Sequence, residues 1–167
     1  MDDVQTFVEY RRDPEIARYQ SWSLDYSNEQ ARQLIDSQRD QLFPDPGQWL
    51  QLGIHLQSTG ELVGDLALHN LEREEGVFEI GFTICREHQN NGFAREAAAD
   101  LLTRLETDHE ASRFIASADA RNIASIKLLT SLGFTHVQEK GWEEEFKNEH
   151  VKVWFFEKVT NASSFLG

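Results

Sequence analysis

The sequence predicts a mixed α/β domain of the α+β type: a mainly antiparallel central sheet flanked by helices, in the order α-α-β-β-β-α-β-α-β-β. Three observations carry this. Residues 77–84 alternate strictly, with Phe78, Ile80, Phe82 and Ile84 on one side and Glu79, Gly81 and Thr83 on the other, the period of a strand. Residues 92–108 space Ala94, Ala97, Ala98, Leu101, Leu102 and Leu105 as a helix does. Two further alternating runs, 49–57 and 62–69, flank the turn Ser58-Thr59-Gly60-Glu61 and read as a hairpin. The 167 residues contain no repeat and no linker, so 1–167 is read as a single domain.

The elements follow in order. Val4, Phe7, Val8 and Ile16 lie near helical spacing, with Pro14 interrupting, so a helix to about Arg12 and a short turn towards Tyr19 are expected. Ser27-Asn28-Glu29-Gln30 has the pattern of a helix start, and residues 28–42 then place Ala31, Leu34, Ile35 and Leu42 on one face. Pro44-Asp45-Pro46-Gly47 ends that helix. After the three strands and the 92–108 helix, 113–118 reads as a strand. Residues 122–132 read as a helix stopped by Gly133. Two last strands, about 134–139 and 151–158, are separated by an acidic loop carrying Trp142.

Composition excludes several functions. There are 29 Asp+Glu against 16 Lys+Arg, a net charge of −13, which argues against binding nucleic acid through counterion release. No apolar run approaches the roughly 20 residues that span a bilayer. Met1-Asp2-Asp3 has no basic or apolar leader character, so a cytoplasmic location is expected. Cys85 is the one cysteine, which excludes an internal disulfide, and the six histidines lack ligand spacing, so no metal is expected. Only residues 84–95 are not acidic: Arg86 and Arg95 outweigh Glu87.

That segment carries the first chemical signal. A strand ends at Phe82-Thr83-Ile84, a polar loop follows, and Gln89-Asn90-Asn91-Gly92-Phe93-Ala94 leads into a helix. The first amides of a helix lack internal partners and carry the positive end of its dipole, a site suited to a pyrophosphate. Gly92 and Ala94 are small enough to let the backbone approach phosphates. The loop is neither a Walker A nor a GxGxxG fingerprint. The second signal is Asn122-Ile123-Ala124-Ser125, followed by Leu132-Gly133-Phe134.

Together, Gln-x-x-Gly-x-Ala, Asn-x-x-Ser and Leu-Gly-Phe resemble the GNAT N-acetyltransferases. Phe78-Glu79-Ile80-Gly81-Phe82 and Arg18-Tyr19-Gln20-Ser21-Trp22 are similar in style to the ribosomal-protein N-terminal (RimJ/RimL-like) branch. The resemblance spans roughly residues 5–158. It departs at the start, where the family opens with a strand and this chain with a helix. It implies acetyl-CoA as cosubstrate, with the pantetheine arm along Phe82, Thr83 and Ile84 and the pyrophosphate on the amides of Gln89, Asn90, Asn91, Gly92, Phe93 and Ala94. Asn122 matches the asparagine that bonds the pantetheine, and Ser125 the serine near the thioester sulfur.

Acetyl transfer needs a neutral amine, a stabilised oxyanion and a protonated leaving thiolate. Glu79 is the candidate base, against the reading of an exposed strand residue or a structural ion pair. Ser125 is the candidate acid, against a hydroxyl that bonds its own helical turn. The Ile84 amide is the candidate oxyanion donor. Tyr19, Trp22 and Trp142 are candidates to line the acceptor site, against plain packing. Cys85 reads as a small buried hydrophobe. The expected reaction is direct transfer to a primary amine, a protein N-terminus or a small cationic amine, by a monomer or homodimer. The competing reading is a non-catalytic acetyl-CoA-binding regulatory module.

Overall fold

Helix α1 (Asp3–Arg11) buries Phe7, Val8 and Tyr10 and sets Asp3 in its first turn and Arg11 in its last, as the helix dipole favours. It is the first element of the computed structural model, which describes residues 3–160; among these no strand precedes it. Asp13 caps the one-turn helix α2 (Pro14–Ala17), accepting the Glu15 amide at 2.9 Å, with Pro14 at the first helical position. Helix α3 (Asn28–Gln38) opens on a capping box: Ser27 Oγ accepts the Gln30 amide at 3.1 Å and Gln30 Oε1 accepts the Ser27 amide at 2.8 Å.

The α3 helix stops short of residue 42, and Leu42, expected on its apolar face, is 96% exposed. The reason lies in Gln38. Its side-chain nitrogen donates to Trp49 O at 3.0 Å and its oxygen accepts the Gln51 amide at 2.8 Å, so one side chain occupies the outer edge of the first strand as a peptide unit would. The chain then turns, with the Gln41 amide on Gln38 O, towards Pro44 and Pro46.

Among the described residues seven strands form one sheet: β1 (Trp49–His55), β2 (Leu62–Asn70), β3 (Val77–Ile84), β4 (Arg113–Asp119), β5 (Thr135–His136), β6 (Trp142–Phe146) and β7 (Glu149–Val159). The order is β1-β2-β3-β4-β7-β5, with β6 on β7. All pairs are antiparallel except β3 with β4. Helix α4 (Phe93–Asp108) supplies the crossover between those two, and α5 (Ile123–Ser131) follows β4. The Schellman close of α5 uses Gly133 at φ 88, with the Phe134 amide on Leu129 O at 3.1 Å.

Two expectations at the C-terminal end need correction. The strand expected over 134–139 is two residues long and passes into a 3₁₀ turn at Gln138–Lys140. The expected acidic loop is strand β6, joined to β7 by Lys147 and Asn148, both left-handed at φ 50 and 62, the pair that a tight hairpin turn requires. Three consecutive glutamates hide a strand from propensity, and this one pairs only with β7, so its side chains stay in water.

The pleat sorts the side chains. One face of the sheet offers Leu66, Leu68, Phe78, Ile80, Phe114, Ala116 and Phe156 to Ala98, Leu102 and Leu105 of α4 and Leu129 of α5. Fully burying a side chain of the Leu or Phe class contributes about 1.5–3 kcal/mol, and this is the larger of the two cores. The opposite face meets α1, where Tyr10 and Arg11 reach Asp65 of β2. Helices thus cover both faces, and the ends of β3 and β4 lie between them.

Candidate active site

The site begins where two strands part. β3 pairs with β4 only at Val77↔Arg113, Phe78↔Phe114 and Glu79↔Ile115. β3 nevertheless runs on to Ile84 against β2, and β4 to Asp119 against β7. Beyond Glu79 the facing edges therefore open into a wedge. The Cys85 amide donates to Val63 O at 2.9 Å. Antiparallel alternation then turns the backbone groups of Thr83 to β2 and those of Phe82 and Ile84 to the wedge.

The loop after β3 is built by its own side chains. Gln89 Nε2 donates to Ile84 O at 3.1 Å, and Asn91 Nδ2 donates to His88 O at 3.2 Å and Gln89 O at 3.1 Å. Asn90 at φ 63 and Gly92 at φ 83 are left-handed, so the amides that follow converge in a concave nest. No side chain caps α4, and a Cβ built on Gly92 meets nothing within 4 Å. The first-turn amides of α4 thus face open space, as an anion site requires.

A cavity of about 550 Å³ fills the wedge. The resemblance-derived residues Phe82, Thr83, Ile84, Gln89, Asn90, Gly92, Phe93, Ala94 and Asn122 line it, as do Ser125 and Tyr19. Asn91 does not; it holds the loop. Asn122 caps α5, its Oδ1 accepting the Ser125 amide at 3.1 Å, while the Ser125 hydroxyl makes no hydrogen bond within the described residues. The candidate site residues read from the sequence omitted Glu15, Ile16 and Gln20, which bring α2 and the turn after it to the cavity wall, Arg86 and His88 of the loop, and Arg95 of α4. The Pro14 turn was a signal for the α2 wall. Local charge marked Arg86, but nothing local marked its partner Asp13, which it clasps through two guanidinium–carboxylate contacts, Nε to Oδ2 at 2.7 Å. That bond holds the Asp13 carboxyl below the ordinary range.

Three further candidates, besides Asn91, lie outside the cavity lining. Trp22 donates from Nε1 to Arg11 O at 2.9 Å, and its ring lies 3.8 Å from the Arg11 guanidinium carbon, which Phe7 also faces at 4.0 Å. It helps to enclose a buried cation. Trp142 is 41% exposed on β6, opposite Val153. Glu79 is half-buried on the face that carries Thr83, separated from it by Gly81, and its Oε2 lies 3.4 Å from His69 Nδ1.

Between β2 and α1, Asp65 accepts from Tyr10 Oη at 2.5 Å and lies 3.6 Å from Arg11, all three buried. Burial pushes the Asp65 carboxyl up, opposed by Arg11 and Tyr10. Burial, with Glu87 nearby, pushes the Cys85 thiol up to about 12, so it stays protonated and is no nucleophile near neutrality. Among the described residues no group of three His, Cys, Asp or Glu is placed to hold a metal, and no helix is long and apolar enough to cross a membrane.

A parallel strand pair that splays, with an uncapped helix N-terminus beside the gap, offers an exposed strand edge next to an anion site, and the comparisons supply the family. Residues 1–135 match the acetyltransferase (GNAT) domain family. The chain is 30% identical over 159 residues to the uncharacterized N-acetyltransferase p20 of Bacillus licheniformis, across 93% of this chain and 86% of that protein. Its fold is similar to the spermidine N-acetyltransferase of Vibrio cholerae in complex with CoA and spermine (TM-score 0.78, 17% identity, 94% and 89% of the two chains). It is equally similar to RimL, a ribosomal L7/L12 alpha-N-protein acetyltransferase in complex with coenzyme A (0.79, 18%, 96% and 88%). The chain belongs to the GNAT acetyltransferase family and is an acetyl-CoA-dependent acyltransferase.

Proposed function

We propose that this chain transfers the acetyl group of acetyl-CoA directly to a primary amine in a ternary complex. The observation that carries the reading is the set of uncapped α4 amides around Gly92, facing a cavity that also takes in the free edge of β3. The residues fit the cosubstrate: open space stands where a Cβ of Gly92 would project, and the backbone groups of Phe82 and the N–H of Ile84 face the wedge beyond the β3–β4 pairing, while Gln89 holds the Ile84 carbonyl. Acetyl-CoA, when bound, supplies an acetyl group activated as a thioester.

The chain's own residues supply the rest. The amides from Gly92 onward hold the diphosphate, and the edge of Phe82–Ile84 aligns the arm. The Ile84 N–H is the donor for charge that develops on the carbonyl oxygen. Asn122 orients the arm from α5, and the unbonded Ser125 hydroxyl is free to donate a proton to a departing thiolate. Glu79 takes the proton of the incoming amine from the α1–α2 face of the sheet. Tyr19 and Gln20 wall that side of the cavity.

The acceptor is a protein N-terminus or a small cationic amine, the two classes that the RimL and spermidine acetyltransferase folds are named for. The deciding experiment is release of free CoA thiol across a panel of N-terminal peptides, diamines and polyamines, with titration calorimetry of acetyl-CoA alongside. Micromolar binding and acceptor-dependent thiol release are expected. Binding with no release across the whole panel favours the regulatory module, and absent binding at millimolar acetyl-CoA removes both readings.

A further inference from the structure

Trp49, His69, Glu79, Ile115 and Glu157 stand side by side across five adjacent strands. The pairs Trp49↔His69, His69↔Glu79, Glu79↔Ile115 and Ile115↔Glu157 are all in register. This is the last row of the sheet with unbroken pairing from β1 to β7, because β3 and β4 part immediately after it. All five side chains project from the face that carries Thr83, away from the α4–α5 core. Glu79 therefore sits at the apex of the wedge, and what fixes its carboxylate is a question of its two neighbours.

On one side is Ile115, which offers no polar group. On the other is His69, whose Nδ1 lies 3.4 Å from Glu79 Oε2. The imidazole is itself fixed: it stacks on the Trp49 indole with centroids 4.6 Å apart and planes at 15°. Trp49 is 44% exposed, so its indole forms a stacking wall for the imidazole rather than a core residue. The 3.4 Å contact is long for N–H···O, as contacts in unloaded sites commonly are.

We propose that His69 is a positioning residue for Glu79. Its Nδ1–H donates to Oε2 and so holds Oε1 towards the acceptor, with Trp49 fixing the ring plane. This rests on Glu79 being the base. The charged groups that face the pair from the packed strands are Arg113 of β4 and Glu157 of β7. Arg113 is bonded to Glu74, and Glu157 is 2.9 Å from Lys140 and 3.9 Å from Arg113. Both are committed to each other and to partners outside the row, which leaves His69 as the polar group in contact with Glu79.

The test has a spectroscopic and a kinetic arm. In the protein without ligand, ¹⁵N-edited imidazole spectra should show the Nδ1-protonated tautomer at His69, with a resonance that moves in Glu79→Gln. In the CoA-release assay, His69→Leu should lower kcat by about tenfold or more and displace its pH profile, with KM for acetyl-CoA within about twofold. His69→Asn keeps a donor near the Nδ1 position and should recover most of the rate. An Nε2-protonated His69 overturns the proposal. So does a wild-type rate and profile in His69→Leu beside an impaired Glu79→Gln, which leaves Glu79 as base untouched. Wild-type kinetics in Glu79→Gln overturn both together.

Discussion

Gly92 and Gly60 differ in one respect that separates ligand recognition from backbone strain. Both are left-handed, at φ 83 and φ 72, and a Cβ on either meets no atom within 4 Å. Alanine at either position thus costs strain alone. That is roughly 1–2 kcal/mol for an L-residue in this region, less about 0.4–1 kcal/mol regained from a stiffer unfolded chain. The net loss of about 1 kcal/mol corresponds to roughly 2–4 °C in Tm for a domain of this size. The two variants should therefore melt alike. They should bind differently: Gly92 lines the cavity at the α4 amides, whereas Gly60 lies in the β1–β2 turn outside its lining. Calorimetric titration of acetyl-CoA should show at least about a tenfold loss for Gly92→Ala, equivalent to about 1.4 kcal/mol, and wild-type affinity for Gly60→Ala. Equal affinity in the two variants would refute the assignment of the phosphate site. A much lower Tm for Gly92→Ala alone would show that the site is packed, not open.

Two further outcomes concern ion pairs that tie the N-terminal helices to the sheet and to the loop after β3. Asp65→Ala leaves the Arg11 guanidinium, 4% exposed, against aromatic faces with no carboxylate, and should destabilise the fold by about 3–5 kcal/mol in urea unfolding; a loss below about 1 kcal/mol would mean that the aromatic enclosure suffices. Asp13 has a folded pKa held down by Arg86, so its contribution is present above its ordinary pKa of 3.8 and is lost as pH falls through the folded value. Wild type should therefore melt above Asp13→Asn at neutral pH, and the two curves of Tm against pH should converge below that range; parallel curves down to pH 2 would exclude the link.

Local chemistry was legible in the sequence and long-range geometry was not. β3, α4 and α5 could be read because their evidence lies within one element: strict alternation at Phe78–Ile84, small residues at helical spacing from Ala94, and the Asn122 and Gly133 caps. β6 could not, since glutamate favours no strand and the hairpin depends on Lys147 and Asn148 both accepting φ above zero. The wedge leaves no mark in sequence, because it is defined by where β3 and β4 cease to pair, across the whole α4 crossover. Trp22 illustrates the same limit. An aromatic in the stretch that resembles an acceptor wall points into the enclosure of Arg11, a residue whose burial follows from Asp65 more than 50 positions away. The face that Glu79 occupies was legible from the alternation of its strand, but its 3.4 Å approach to His69 depends on the β2–β3 register.

A net charge of −13 and the proposed diphosphate site are compatible for a physical reason. Besides the Arg95 side chain, the donors facing the cavity from α4 are backbone amides, whose direction is set by the left-handed turns at Asn90 and Gly92 and is independent of the acidic surface. The loop's Arg86 does not stand free as an anion trap. It is bound by Asp13, and because Asp13 also caps α2, one carboxylate joins the loop after β3 to the helix that presents Ile16 and, just beyond its end, Tyr19 and Gln20. Under the proposed reading, the two substrates then meet walls of a single rigid unit: the cosubstrate on the amides behind Arg86, the acceptor against the segment that Asp13 holds. Loosening that clasp should act on both substrates at once, which a cofactor loop with independent lysines would not do.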